Sequence, residues 1–126
     1  MATQKYQTPD LSLSLEVQES PENIKIVFTG KSKAKSPSDF LNPVMQEVFA
    51  NAIQEKKSIF LDFFNLEYMN SATVSPIIKF WAKLKDTGIS LTVEYNGAIS
   101  WQKTNFSALT VFEKDSQRFI LIERQA

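Results

Sequence analysis

Residues 58–84 read SIFLDFFNLEYMNSATVSPIIKFWAKL, and the periodicity of this stretch changes half-way along it. Ser58 to Phe64 is nearly all apolar apart from Asp62, the pattern of a central strand covered on both faces. Ile77, Ile78, Trp81 and Leu84 then recur at helical spacing, with Lys79, Lys83 and Lys85 turned elsewhere and Gly88 placed to end the helix. Between the two patterns lies a polar tip, Asn65 to Ser71, the loop of a strand-to-helix switch. Ser71 stands where the first N–H groups of a helix point outward without intrahelical partners. A hydroxyl there serves as a cap, as a phosphate acceptor or against a ligand. Ser75 with Pro76 is a competing start signal, because proline suits the first helical position. Either the helix begins late, leaving Ser71 in a loop that a kinase still reaches, or its first turn is irregular.

Working outward, Leu11, Leu13, Leu15 and Val17 alternate with Ser12, Ser14, Glu16 and Gln18, the two-residue period of a strand with one face buried. A turn at residues 20–23 leads to Ile24, Ile26 and Phe28, alternating with Lys25, Val27 and Thr29 up to Gly30, so the two strands form an antiparallel hairpin. Lys31, Lys33 and Lys35 belong to a solvated connection before Ser36 and Pro37. Phe40, Leu41, Val44, Met45, Val48, Phe49, Ala52 and Ile53 mark an amphipathic helix, starting either at Asn42–Pro43 or a turn earlier at Ser38. Beyond Gly88, Leu91, Val93 and Tyr95 give a strand, Asn96 and Gly97 a turn, Trp101 to Phe112 a weaker helix, and Phe119 to Ile122 a last strand. The order is β-β-α-β-α-β-α-β: a single α/β domain over residues 11–126 with a mixed β-sheet of about five strands, helices packed on it, and residues 1–10 as a flexible lead-in.

Composition narrows the chemistry. The 126 residues are 43% hydrophobic and include ten Phe, enough for one compact core. Fourteen basic and fourteen acidic residues cancel, so no net field draws the chain to nucleic acid or to a membrane surface. There is no Cys and no His, which removes thiol nucleophiles, disulfides, soft metal sites and the usual acid–base group near neutral pH. Asp62 and Glu67 are a conceivable carboxylate pair, but nothing in the sequence fixes their separation, and Asp62 serves equally to accept loop N–H groups at the strand end. Trp81 and Trp101 are read as core packing. No apolar run approaches the ~20 residues that span a bilayer, and no signal peptide is evident; a cytoplasmic location is expected.

The segment LDFFNLEYMNSATVSPIIKF, residues 61–80, resembles the signature of the STAS domain, the sulphate-transporter and anti-sigma-factor-antagonist family, in its stand-alone bacterial form. There a strand ending in Asp, a short loop and an acidic-residue–Ser pair lead into a helix, and the element order over roughly residues 11 to 124 is similar. The resemblance implies a STAS-like fold and a regulatory protein-binding module, not an enzyme, with no cofactor. In that family the serine or threonine at the helix start is phosphorylated by a partner kinase and anti-sigma factor of the histidine-kinase-like ATPase fold, and a metal-dependent phosphatase reverses the step. On this likeness Ser71 is the acceptor and Asp62 the strand-end acid, while Asp62, Asn65, Glu67, Asn70, Ser71 and Thr73 form the partner surface of a monomer or weak dimer. Thr73 and Ser75 are alternative acceptors. Asn70 stands where the family commonly has Asp, and Ala72 and Thr73 replace its frequent Ser-Gly pair. Two other readings are a small-ligand or nucleotide-binding domain using the same strand-end loops, and a passive scaffold without phosphorylation. No Gly-rich phosphate loop supports the first, because Gly30, Gly88 and Gly97 are scattered.

Overall fold

A computed structural model describes residues 2–125. Strand β1 (Ala2–Gln7) pairs antiparallel with β2 (Leu13–Glu19), which pairs antiparallel with β3 (Asn23–Ser32). Helix α1 (Ser38–Glu55) leads to β4 (Ser58–Asp62), and β5 (Leu66–Met69) follows after a short break. A 3-10 turn (Ser71–Thr73) opens into α2 (Val74–Leu84), and the chain finishes with β6 (Leu91–Asn96), α3 (Ser100–Ser107), α4 (Thr110–Asp115) and β7 (Phe119–Arg124). The sheet runs β1-β2-β3-β4-β6-β7, with β5 pairing the far end of β3. β3, β4, β6 and β7 are mutually parallel.

These parallel strands advance across the sheet in one direction without reversing, so right-handed crossovers put every helix on the same face. Ring contacts bear this out. Phe106 of α3 meets Tyr95 of β6, while Trp81 of α2 and Phe112 of α4 both meet Phe119 of β7. Leu15, Ile26, Ile59, Leu61 and Val93 fill the same face from the strands and are fully buried.

Among the described residues no helix covers the opposite face, which corrects the expectation that β4 is covered on both sides. Phe60 and Phe64 look outward there, and long cationic side chains lie over them. Lys25 Nζ is 5.2 Å from the Phe60 ring centre and the Arg124 guanidinium 3.7 Å from that of Phe64. The same cations pair with carboxylates on this face, Lys25 with Asp62 at 3.5 Å and Arg124 with Glu94 at 3.1 Å. Aromatics shielded in this way give β4 its continuous apolar pattern.

Other expectations are corrected as well. Among the described residues the sheet has seven strands rather than about five. Residues 2–7, read as a flexible lead-in outside the fold, form edge strand β1, held by its backbone and by Tyr6, which packs against the core. Leu11 lies outside β2, 68% exposed in a turn at φ 62°. α1 begins at the earlier start, with Pro43 inside it. The weak helix from Trp101 to Phe112 is two helices, parted where Thr110 Oγ1 donates to the Ser107 carbonyl. Gly30, at φ 92°, opens the β3–β5 pairing, whose register shifts between Gly30 and Lys31, and a Cβ there would overlap the Ser12 carbonyl. Among the described residues no helix is long and apolar enough to cross a membrane.

The aromatic stack at the break after β4 ties the layers together: Phe63 lies 4.2 Å from Phe28 of β3 and 4.7 Å from Phe106 of α3, and is fully buried. Phe63→Ala is expected to lower the unfolding free energy by about 3–5 kcal/mol in urea titrations without changing the fold; a loss below about 1.5 kcal/mol would contradict this packing.

Candidate functional site

The site is built from the end of β4 onward. After Asp62 the chain leaves the sheet for residues 63–65 and rejoins it as β5 against β3. Gln102, fully buried on α3, bridges this break: its Nε2 donates to the carbonyls of Phe63 at 2.9 Å and Leu66 at 3.0 Å, and its Oε1 accepts the Asn96 N–H at 2.8 Å. One side chain thus fixes the break, β6 and α3 relative to each other.

β5 then delivers residues 70–73 to the end of β3. The Asn70 N–H donates to the Ser32 carbonyl at 3.0 Å, and Asn70 Nδ2 donates to the Ala34 carbonyl at 2.8 Å. Thr73 Oγ1 donates to Asn70 Oδ1 at 2.8 Å, so in its 2.7 Å contact with Ser32 the serine hydroxyl is the donor. The Thr73 N–H closes the turn on the Asn70 carbonyl at 3.1 Å. Asn70 uses both ends of its amide here. A carboxylate has no donor for the Ala34 carbonyl, which accounts physically for Asn where the resembled family commonly has Asp.

Ser71 is the first residue of this turn and is exposed, and among the described residues its hydroxyl makes no hydrogen bond. The ordinary cap reading therefore does not hold: the cap position is Asn70, and the Ser71 hydroxyl is not used by the fold. Neither the Ser71 nor the Ala72 N–H has a partner among the described residues, the arrangement that favours an anion at a helix start. Of the two starts, the irregular first turn is the one found: residues 71–73 form a 3-10 turn and α2 follows from Val74, with Ser75 inside the helix and Pro76 in its opening turn rather than at its first position.

The other expected site residues separate into two groups. Asn65, Glu67 and Ser75 are exposed and Asn70 is half-buried. Thr73 is 1% exposed with its hydroxyl bonded on both sides, and Asp62 is 5% exposed on the helix-free face. Asp62 accepts the Phe64 N–H at 2.9 Å and pairs with Lys25, and no bond joins it to Glu67. Trp81 is core, whereas Trp101 is half-buried beside exposed Tyr68, ring centres 6.4 Å apart. The sequence reading did not find Ser32, whose carbonyl and hydroxyl hold Asn70 and Thr73, or Gln102, whose partners are backbone groups of distant segments. Among the described residues no cluster of carboxylates is arranged to hold a metal ion.

No family model matches the chain, and no curated protein matches it in sequence. Solved structures do match. The crystal structure of an anti-sigma factor antagonist from Mycobacterium paratuberculosis superposes with a TM-score of 0.60, covering 94% of this chain and 92% of that one, at 15% sequence identity. The chain has a STAS-like fold. In this STAS-like domain the Ser71 turn lies at the strand-to-helix switch marked by the sequence, suspended from β3 rather than free in solvent.

Gln102→Leu keeps bulk but leaves the Asn96 N–H without its acceptor and takes the amide donor from two carbonyls. The expected cost is at least about 2 kcal/mol in urea unfolding, since each buried unpaired group costs about 1–3 kcal/mol. A loss under about 0.5 kcal/mol would show that the bridge does not hold the break.

Proposed function

We propose that the chain is a regulatory protein-binding module of the anti-sigma factor antagonist type, presenting residues 65–75 and α2 to a protein partner and switched by phosphorylation of Ser71. The observation that carries this reading is the Ser71 hydroxyl, exposed and unbonded on a turn whose neighbours on either side are tied down. The likeness to an anti-sigma factor antagonist adds support at the level of fold.

A phosphoserine brings close to two negative charges, and a helix start offsets an anion by about 0.3–1 kcal/mol through its dipole and free N–H groups. The domain accordingly keeps its structure when modified. The same charge inside an interface without a cationic partner opposes association, so one phosphate releases a bound protein. The partner in this reading is a serine kinase and anti-sigma factor of the histidine-kinase-like ATPase fold, with a phosphatase restoring the free serine, in the cytoplasm. Asn65, Glu67, Asn70 and Ser71 meet the partner, while Asp62 and Thr73 support the surface from beneath. Of the alternative acceptors, Ser75 is exposed, and Thr73 reaches a kinase only if the turn opens. Catalysis is not asked of this chain, because both Asp62 oxygens are engaged.

Incubation with the cognate kinase followed by mass spectrometry is expected to place the phosphate on Ser71. Ser71→Glu should weaken partner binding at least about tenfold, a difference of about 1.4 kcal/mol. An unmodified Ser71, or unchanged affinity for Ser71→Glu, would sink the switch.

A further inference from the structure

β7 ends the sheet, so only one of its two edges is paired. The Leu91 N–H donates to the Arg118 carbonyl and the Gly97 N–H to the Arg124 carbonyl. In a parallel ladder both backbone groups of a residue point to the same side, so the even-numbered residues of β7 face β6, while Phe119, Leu121 and Glu123 turn theirs to the open edge. Such an edge is a template for another strand, and proteins blunt it with proline, a bulge, a charge or a covering segment. β7 contains no proline and keeps an unbroken register with β6. Phe119 packs toward the helices on Trp81, so alternation puts Ile120 and Ile122 on the helix-free face, where they are 40% and 38% exposed.

One side chain stands on this edge. From α4, Glu113 Oε2 accepts the Leu121 N–H at 2.9 Å, in the place where a carbonyl of a further strand would sit. Glu113 forms no ion pair among the described residues, so the strand amide is its polar partner. The occupant that fits the edge is a second β7. With two copies antiparallel about Leu121, the edge-facing residues meet one another, Leu121 opposite Leu121 and Phe119 opposite Glu123. On the helix-free face Ile120 of each copy then lies opposite Ile122 of the other, two apolar cross-strand pairs made from side chains that one chain leaves exposed. Moving the axis to Ile122 would set Ile120 against Arg124 instead. A contact of this kind uses the same patch twice and closes as a dimer.

We propose that the open edge of β7 is a strand-addition surface for a second copy of this chain, and that Glu113 guards it by occupying the Leu121 N–H. The surface goes beyond the Ser71 switch and uses none of its atoms.

Analytical ultracentrifugation of the full chain tests it. Glu113→Ala, and Glu113→Met at nearly the native side-chain length, both remove the acceptor and are expected to tighten self-association at least about tenfold over the unaltered chain, with the far-ultraviolet dichroism unchanged. Glu113→Gln keeps a side-chain carbonyl for the Leu121 N–H and associates no more strongly than the unaltered chain. Adding Ile120→Lys and Ile122→Lys to either acceptor-free variant places like charges opposite one another and restores the monomer. Amide exchange at Leu121 and Glu123 should slow in the acceptor-free variants as their concentration is raised. Folded Ala and Met variants that associate no more strongly than the unaltered chain would overturn the proposal. So would a dimer that survives both lysines, one that forms equally in the Gln variant, or one that leaves the exchange of Leu121 and Glu123 unchanged. The readout involves neither phosphorylation nor a different protein, so its failure is distinct from failure of the Ser71 switch.

Discussion

The amide of Gln102 is the contact on which the placement of the site depends. A strand that leaves its sheet and returns displaces backbone groups from the ladder, and buried polar groups without partners cost about 1–3 kcal/mol each. Between β4 and β5 this is met from α3, by one side chain that donates to Phe63 and Leu66 and accepts from Asn96. The Phe28–Phe63–Phe106 stack lies at the same break and fills the volume around the polar bridge. With the break fixed, β5 can run only along the end of β3, and residues 70–73 arrive beside Ser32 and Ala34.

From there the logic of the turn is one of satisfied and unsatisfied groups. Asn70, Thr73 and Ser32 pair among themselves and with two carbonyls, so the backbone of the turn is set. The Ser71 hydroxyl and the first two N–H groups of the turn are left over. A residue whose side chain contributes nothing to the fold can be modified at little cost to stability, and free N–H groups at a helix start favour the anion that modification introduces. The one-way march of β3, β4, β6 and β7 places all helices on one face, so the strand ends that carry this turn lie at the rim of a two-layer structure.

Much of this was legible in the sequence. The alternation from Leu13 to Val17, the helical stripe from Phe40 to Ile53 and the switch at residues 58–84 are long or regular enough for period alone to identify them. What escaped was structure made by partners distant in sequence. β1 has no apolar alternation because its backbone does the pairing, and β5 buries only its end residues, Leu66 and Met69, across an irregular register. Phe60 and Phe64 read as buried from both sides because Lys25 of β3 and Arg124 of β7 cover them. The position of Ser71 could be read, but the fact that its hydroxyl is unbonded could not, since that depends on Asn70 turning its amide toward Ala34 and Thr73.

The most direct test of this account is amide hydrogen exchange on the protein carrying phosphoserine at position 71 compared with the unmodified chain. A prebuilt turn with free donors predicts the same global unfolding free energy to within about 1 kcal/mol and slower exchange confined to the Ser71 and Ala72 amides. Loss of protection spreading through β5 and α2 would contradict it, because the turn would then depend on an uncharged Ser71.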